Sequence, residues 1–396
     1  MRRSRPCHRN DNLFSEARGH WAPAVTRLIQ RTTVVFNRRT LRGDHFMTSP
    51  LPFRIGLTDD GVYDRVMAVP SARKALENKA GIEIARFPVD IDPIPADVLN
   101  RFDAVLTGGV NFTPTSTAGV DRCALIVRFG AGYDRVDLSA CTESGIIVAT
   151  TPAGVRRPMA TAALTHILVL STRFVFKSEC ANNGRWDEAQ SAAQAGLGLT
   201  GRTIGFLGFG SIGKDLYSLI KPFDMRHLVF DPYLDEVTGR RYDIEQVDLE
   251  TLLSASDIVV ILCALTEETH HLIGARELEQ MKPSAYLVNV ARGAIIDQIA
   301  LAGALAEKQI QGAGLDALDP EPISPDDPLL TLNNVHLTPH ALGITDELVR
   351  GCSELCVQAA LDVMQGNSPE SVINRDVLDH LGLREKLERY RNRYGG

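Results

Sequence analysis

The sequence predicts an α/β fold built from two successive series of short apolar strands and helices. In the first series, strand-like runs at 54–58 and 82–87 flank a helix-like stretch at 72–79. A second series begins near Thr203 and alternates in the same way. Such alternation is typical of parallel sheets covered by helices on both faces. The chain of 396 residues also exceeds the usual single core, so two domains are expected.

The first series continues with three strand candidates, at 104–106, 125–128 and 146–149. Glycines follow two of them, at 108–109 and at 130, where parallel sheets place their ligand-facing loops. Near the C-terminus, an amphipathic stretch at 345–365 has no strand left to pair with, so it is expected to return to this sheet. We therefore predict a smaller, flavodoxin-like α/β substrate domain made of residues 48–150 and 341–380.

The second series contains six strand candidates, at 203–207, 228–230, 258–262, 285–289, 312–315 and 335–337. Six strands joined by crossover helices match a complete Rossmann-type doubly wound domain. This cofactor domain is predicted to span residues 151–340, inserted into the substrate domain. The highly charged residues 381–396 are predicted to form a solvated tail.

The N-terminal segment differs in composition from the rest of the chain. Residues 1–46 hold ten Arg, no Lys and three acids, a net charge of +7, so residues 47–396 carry −7 − 7 = −14. Three interpretations stay open: an upstream-extended start codon, a disordered basic arm, or an organelle transit peptide. Residues 1–47 are treated as a disordered or non-native extension and left out of the predicted fold.

The overall composition excludes several classes of protein. A net charge of −7 and a pI near 5.8 leave no basic excess to neutralise phosphates, which argues against a nucleic-acid partner. The longest apolar stretch, 159–176, is interrupted by polar residues and falls short of the about 20 residues that a membrane span needs. The seven cysteines contain no Cys-x-x-Cys pair, so neither a metal site nor a disulfide framework is expected. These features favour a cytoplasmic protein.

A Gly-x-Gly-x-x-Gly turn at Gly208, Gly210 and Gly213 follows an apolar strand and opens a helix, which is the context that a dinucleotide-binding turn requires. Gly208 would permit the tight turn, Gly210 would let the backbone approach a pyrophosphate, and Gly213 would let the helix pack closely on the sheet. Ser211 and Ile212 would then place their amides at the helix N-terminus, facing the phosphates.

An aspartate, Asp231, lies 18 residues after Gly213 at the end of the next strand. A carboxylate there can accept hydrogen bonds from both ribose hydroxyls and repel a 2′-phosphate, which favours NAD over NADP. The alternative is an aspartate that caps a turn before Pro232.

Three further polar residues, Arg292, Glu321 and His340, follow successive strands of the second series, at the edge where such sheets bind ligands. The planar guanidinium of an arginine matches a carboxylate through two hydrogen bonds. A histidine is the natural proton donor near neutral pH, and an adjacent carboxylate raises the pKa of an imidazole and fixes its orientation. Taken singly, Arg292 could instead form a structural ion pair and Glu321 could be a solvated acid of a loop. His340 could be a loop histidine whose hydrogen bonds are satisfied within the protein.

With these residues in place, the chain resembles the D-isomer-specific 2-hydroxyacid dehydrogenase family over about residues 53–375. The stretches that carry the resemblance are 127–134, 205–213, 269–272, 288–297, 316–322 and 337–343. The Ala-Arg-Gly at 291–293 and the Thr-Pro-His at 338–340 are specific to the family when they occur together.

The resemblance implies an NAD-dependent oxidoreductase that transfers hydride between NAD(H) and a small 2-keto acid or D-2-hydroxy acid, working as a homodimer. It implies Arg292 as the clamp on the substrate carboxylate and carbonyl, His340 as general acid/base, and Glu321 as the group that tunes His340. It further implies that backbone amides of Phe129, Gly130 and Ala131 help to hold the substrate carboxylate, and that Thr269 and Asp316 contact the cofactor.

Some alternatives on the same fold stay open. They are an NAD-sensing, corepressor-like binding protein and a dehydrogenase of phosphite or of a phosphorylated hydroxy acid. The formate dehydrogenase branch is similar but has glutamine in place of Glu321, which favours hydroxy acid chemistry here. Arg156 and Arg157 depart from the family pattern near the interdomain hinge. We hypothesise that one of them meets a second anionic group of the substrate, or the partner subunit; the alternative is a surface or interface ion pair.

Overall fold

The computed structural model describes residues 51–87 and 91–395, so the predicted extension at 1–47 lies outside the described residues. The first sheet is formed by β1 Phe53–Leu57, β2 Ile82–Arg86, β3 Ala104–Thr107, β4 Leu125–Arg128 and β5 Ile147–Ala149. All are parallel, in the order β2-β1-β3-β4-β5, which is the flavodoxin-like order that the sequence predicts. Strands β3, β4 and β5 are buried at every position, as expected for strands covered on both faces.

The second sheet contains β6 Thr203–Leu207, β7 Arg226–Phe230, β8 Glu245–Gln246, β9 Ile258–Ile261, β10 Tyr286–Asn289, β11 Gly312–Leu315 and β12 Val335–Leu337. They pair in parallel in the order β12-β11-β10-β9-β6-β7-β8, so the strand order reverses between β6 and β9. This is the predicted Rossmann-type sheet, whose ligand crevice lies at such a reversal. The edge strand β8 is additional to the prediction, because its two exposed polar residues carry no apolar signal.

Fifteen α-helices lie within the described residues. Those beside the first sheet are α1 Asp60–Ala68, α2 Pro70–Glu77, α3 Ala96–Leu99, α4 Pro114–Thr117 and α5 Leu138–Glu143. The chain then forms α6 Pro152–Thr172, α7 Phe174–Asn182 and α8 Trp186–Gln190. The second series contains α9 Ser211–Ile220, α10 Glu236–Tyr242, α11 Leu249–Ala255, α12 Ala275–Gln280 and α13 Gln298–Ala306. The last two helices are α14 Asp346–Met364 and α15 Leu381–Tyr394.

Helix α6 connects the two sheets and contacts elements of both. It packs on α9, β10 and β11 and crosses α14, whose apolar face lies on the first sheet. The crossing is close because glycines meet there. A Cβ added to Gly154 would lie 2.7 Å from the amide nitrogen of Cys352, and one added to Gly351 would lie 2.9 Å from the Cα of Gly154. The chain thus returns to the first sheet after it completes the second.

Among the described helices, no single one is long and apolar enough to span a membrane. Taken together, the bent helices α6 and α7, whose axes meet at 60°, have the length and apolar composition that a broken membrane span would need. Ala163 and Ile167 of α6 are buried in the protein core.

The C-terminal residues correct one prediction, because they form α15 rather than a solvated tail. Leu383, Lys386 and Tyr390 lie on one face of this helix and are buried against the first sheet. The Tyr390 hydroxyl donates to the carbonyl of Arg122 at 2.6 Å. The prediction failed because charge dominates the composition here, while the apolar residues recur at helical spacing along a single face.

The buried amine of Lys386 links α15 to the first sheet. Its Nζ donates to the carbonyl oxygens of Cys123, Ser144 and Gly145 at 2.8, 3.0 and 3.2 Å. Burial lowers the pKa of Lys386 below its usual value. One amine therefore satisfies three carbonyls that have little access to water.

We expect Lys386→Met to lower the free energy of unfolding by roughly 1–3 kcal/mol, because it leaves buried carbonyls without a donor. The measurement is denaturant unfolding of the full chain. Lys74→Met removes an exposed lysine of α2 and should change stability by less than about 0.5 kcal/mol. Equal losses in the two variants would contradict the assigned role of the buried amine.

Candidate active site

A cleft of about 780 Å³ is lined by loops from both sheets. Loops after β3 and β4 contribute from the first sheet, and loops after β6, β9, β10, β11 and β12 from the second. Each follows the carboxyl end of a parallel strand, where α/β sheets bind ligands. The predicted site residues in its wall are Phe129, Gly130, Ala131, Gly210, Ser211, Ile212, Arg292, Asp316, Glu321 and His340. Those outside the wall are Gly208, Gly213, Asp231 and Thr269.

The glycine turn has the geometry that a dinucleotide-binding loop needs. Gly208 has φ +90°, and a Cβ there would lie 2.8 Å from the amide nitrogen of Cys263. Gly210 precedes α9, and a Cβ on it would meet nothing within 4 Å, so the backbone is open to a ligand. A Cβ on Gly213 would lie 3.1 Å from the carbonyl oxygen of Gly208, which keeps α9 close to the strand. A pyrophosphate fits at this helix N-terminus.

The carboxylate of Asp231 is fixed beside this turn. One oxygen accepts from the amide of Phe209 at 2.8 Å and the other from the amide of Tyr233 at 2.9 Å. Each oxygen keeps a lone pair for a ribose hydroxyl. Arg240, which could otherwise attract a 2′-phosphate, pairs with Glu236.

Thr269 and Asp316 make contacts that hold loops. The Thr269 hydroxyl donates to the carbonyl of Ala264 at 2.8 Å, within the loop that follows β9. Asp316 is 2% exposed, and its Oδ1 accepts from the Thr338 hydroxyl at 2.6 Å and from the amides of Ala341 and Leu342. Asp316 therefore fixes the chain on both sides of His340. Direct contact of Thr269 and Asp316 with the cofactor stays a prediction.

His340 and Glu321 form a hydrogen-bonded pair in the cleft. Nδ1 of His340 lies 2.9 and 3.0 Å from the two carboxylate oxygens of Glu321. Oε1 of Glu321 also accepts from the amide of Leu318 at 3.0 Å. Burial alone would raise the pKa of Glu321, but its hydrogen bonds with His340 and Leu318 outweigh burial and hold that pKa below its ordinary value. A carboxylate engaged at Nδ1 leaves Nε2 of His340 as the nitrogen that can exchange a proton with a substrate.

Arg292 is held by an aspartate from the other sheet. Its Nε donates to Oδ1 of Asp134 at 2.9 Å, and one Nη donates to the carbonyl of Ala291 at 2.8 Å. Burial would raise the pKa of Asp134, but the charge and the hydrogen bond of Arg292 lower it overall. A Cβ on Gly132 would overlap the other Nη of Arg292, so only glycine lets the guanidinium approach this loop.

The loop after β4 offers fewer free amides than the sequence implies. Phe129 donates its amide to the carbonyl of Thr107 at 2.8 Å, and Gly130 donates to the Thr151 hydroxyl at 2.8 Å. Of the three predicted residues, Ala131 alone has an amide without an acceptor among the described residues. Arg128 supports the loop from beneath, because its Nε donates to the carbonyl of Gly132 at 3.1 Å. Burial lowers the pKa of Arg128 to about 10.

Arg156 and Arg157 lie outside the cleft wall and both point to Asp215 on α9. The Nε atoms of Arg157 and Arg156 lie 2.9 and 3.8 Å from its carboxylate oxygens. The structure therefore places an ion pair between α6 and the helix of the glycine turn, as the alternative interpretation expects. The substrate contact hypothesised for these arginines finds no support in this geometry.

Asp134, Gly132 and Arg128 are site residues that the sequence reasoning missed. They lie within the stretch 127–134, which also carries the family resemblance. Their signal in the sequence is the density of charge and glycine at the end of a buried strand and directly after it.

The fold and this cleft define a dinucleotide-dependent oxidoreductase. The family model described as D-isomer specific 2-hydroxyacid dehydrogenase, NAD binding domain, matches residues 164–341. A glyoxylate reductase of Korarchaeum cryptofilum is 37% identical over 258 residues, which are 65% of this chain and 78% of the relative. A D-3-phosphoglycerate dehydrogenase of Methanocaldococcus jannaschii is 32% identical over 280 residues, 70% of this chain and 52% of the relative.

Among solved structures, an NAD-dependent formate dehydrogenase of Staphylococcus aureus in complex with NAD is 25% identical. The two structures match with a TM-score of 0.69 over 81% of this chain and 98% of the formate dehydrogenase chain. The chain belongs to the D-isomer specific 2-hydroxyacid dehydrogenase family. It is an oxidoreductase that acts on CH–OH groups with NAD as its cofactor, so the predicted family, enzyme class and cofactor are confirmed.

We expect Gly132→Ala to lower kcat/KM by about 10²-fold, because displacing a clamp by about 1 Å has effects on that scale. The assay is steady-state oxidation of NADH with the best keto acid. Gly303→Ala is the matched control, since a Cβ there meets nothing within 4 Å. Unchanged kinetics in Gly132→Ala would show that the guanidinium does not need this approach.

A second prediction concerns His166, which lies on α6 behind the His340 loop. Its Nε2 is 3.4 Å from the Thr338 hydroxyl. Burial lowers the pKa of His166 from 6.5 to about 4, despite the nearby charge of Asp316. Below pH 6.5 the unfolded chain therefore binds a proton that the folded protein excludes.

The free energy of unfolding should thus fall as the pH decreases through this window, by up to roughly 3 kcal/mol from this residue. Denaturant unfolding of the wild type and His166→Asn at pH 7 and at pH 4.5 isolates this contribution, because the carboxylates are common to both. An equal loss of stability in the two proteins would exclude it.

Proposed function

We propose that this protein interconverts a small 2-keto acid and its D-2-hydroxy acid, with Arg292 as clamp and His340 as general acid/base. The observation that carries the proposal is that Arg292 and the hydrogen-bonded pair Glu321–His340 line one cleft together with the N-terminus of α9. Bound NAD(H) supplies or accepts the hydride. The chain has to hold the carboxylate, polarise the carbonyl and exchange one proton.

In this proposal, Arg292 and the free amide of Ala131 bind the substrate carboxylate. One Nη of Arg292 is available for this, since Asp134 accepts from its Nε and the carbonyl of Ala291 accepts from the other Nη. Nε2 of His340 donates a proton to the carbonyl oxygen during reduction and removes it from the hydroxyl during oxidation. Glu321 holds the imidazole in this orientation through its hydrogen bond to Nδ1. The substrate contacts implied for Phe129 and Gly130 are then side-chain or van der Waals contacts, since their amides are used within the chain.

We further propose that residues 48–150 with 341–380 act as the substrate domain and residues 151–340 as the cofactor domain. Closure of the cleft between them would orient the carbonyl and exclude water before hydride transfer. The position of the catalytic groups on loops from both sheets supports this division.

The homodimer and the cytoplasmic location are also proposals. The surface of α7 and α8 supports the first, since Phe174 and Trp186 are 61% and 60% exposed on neighbouring helices. A second copy of the chain would cover such an apolar surface. Six free cysteines among the described residues support a reducing compartment.

The activity test follows NADH absorbance with a panel of 2-keto acids: glyoxylate, hydroxypyruvate, pyruvate, phenylpyruvate, 2-oxoglutarate and phosphohydroxypyruvate. We expect NADH oxidation with one clear preference. His340→Gln should lower kcat by about 10²–10⁴-fold, the usual scale for removing an acid/base group, and should retain NADH binding.

The control is His270→Gln, which alters an exposed histidine outside the cleft and should retain wild-type kcat. Wild-type kcat in His340→Gln between about pH 6 and 9 would exclude the role given to His340. Failure of the wild type to reduce any keto acid would reject the proposed reaction.

A further inference from the structure

Arg65, in the last turn of α1, is a cleft residue that takes no part in the proposed chemistry. Its helix is anchored by Val62 and Val66, which are buried in the core of the first sheet. Its guanidinium carbon lies 5.7 Å from the centre of the Phe129 ring, a distance typical of a cation on an aromatic face. The helix and the ring together hold this cation beside the loop that is proposed to bind the substrate.

The carboxylates in the cleft wall are already engaged. Four line it: Asp59, Asp134, Asp316 and Glu321. Asp59 accepts from the Val62 amide at 2.8 Å and from the Thr58 hydroxyl at 3.1 Å. Asp134 binds Arg292, Asp316 binds the loop around His340, and Glu321 binds His340 itself. No carboxylate of the wall pairs with Arg65 among the described residues.

Each of the other arginines of the wall makes at least one hydrogen bond within the protein, although one Nη of Arg128 is buried without an acceptor among the described residues. Arg292 binds Asp134, Arg128 binds the carbonyl of Gly132, and Arg135 binds the carbonyl of Gly109 at 2.8 Å. Arg65 has no hydrogen bond or ion pair among the described residues. An unpaired cation in a partly buried cleft attracts an anion. Because the guanidinium donors of Arg65 have no acceptor in the described part of the protein, they indicate a site for an anionic group of a ligand.

The cleft beside Arg65 has room for such a group. The loop after β3 presents Gly108 and Gly109, and a Cβ on Gly109 would meet nothing within 4 Å. Val62 and Leu348 add apolar surface to the same wall. Arg65 and Arg292 line this same cleft, so one ligand within it can face both.

We propose that Arg65 binds a second anionic group, a carboxylate or a phosphate, at the far end of the substrate, so that the preferred 2-keto acid is dianionic. This inference rests on the proposed function, since it assumes a 2-keto acid with its first carboxylate at Arg292. A guanidinium suits either anion, because both accept two parallel hydrogen bonds from its planar edge.

Two matched substrate pairs test the proposal in the full-length enzyme with NADH. The first compares 2-oxoglutarate with 2-oxopentanoate, and the second compares phosphohydroxypyruvate with hydroxypyruvate. We expect the wild type to favour the dianionic member of one pair by at least about 10-fold in kcat/KM, on the scale of one charged hydrogen bond. The pair that shows this preference distinguishes a carboxylate from a phosphate.

Arg65→Gln should reduce that preference about 10- to 100-fold, mainly through KM, and Arg65→Lys should retain part of it. Raising the ionic strength from about 0.05 to 0.5 M should weaken the preference in the wild type more than in Arg65→Gln. Arg73→Gln removes an exposed arginine of α2 that pairs with Glu77 and should keep the wild-type preference. An unchanged preference in Arg65→Gln, or equal kcat/KM within both pairs in the wild type, would overturn the inference.

A failure of the proposed function has a different signature, because the wild type would then reduce neither member of either pair. In that case, calorimetric titration of 2-oxoglutarate and phosphohydroxypyruvate into the complex with NAD⁺ decides the role of Arg65. Binding that weakens in Arg65→Gln and persists in Arg73→Gln would uphold the anion site. Absence of binding, or equal binding in both variants, would refute it.

Discussion

The ion pair between Arg292 and Asp134 is the contact on which the geometry of the cleft depends. It joins the loop after β10 to the loop after β4, so it connects the two sheets directly. The positive charges of Arg128 and Arg292 repel each other. Besides burial, which lowers the pKa of Arg128 most, the charge of Arg292 lowers this pKa, whereas the charge of Asp134 raises it. The aspartate therefore offsets part of the positive charge that two neighbouring guanidinium groups bring to the cleft.

The His340 side of the cleft depends on a buried carboxylate, that of Asp316. Asp316 binds the chain before and after His340, and His166 of α6 packs behind this arrangement. His340 has φ +50°, a left-handed conformation that is uncommon for residues other than glycine. Asp134 and Asp316 thus position the clamp and the imidazole, although neither performs the chemistry proposed for those groups.

The sequence predicts the fold well because strands buried on both faces are continuous apolar runs. The glycine turn also locates the strand before it and the helix after it. The residues Arg292, Glu321 and His340 are found for a related reason, since each directly follows a strand. Contacts between distant residues are not readable in this way. The pairing of Arg157 with Asp215 and the use of the Phe129 and Gly130 amides depend on how separate elements meet. The burial of α15 was missed because its charges hide a regular apolar face.

The crossing of α6 and α14 restricts the residues that the chain tolerates there. At Gly154 and Gly351 the backbones of the two helices approach closely, and the side chains of Val155, Leu348 and Cys352 pack beside this contact. Because the surrounding core is close-packed, an added side chain has no space to enter. The chain crosses between the sheets close to this point, at the start of α6 and again before α14. A larger side chain at Gly154 or Gly351 would therefore force the two helices apart where the chain passes from one sheet to the other.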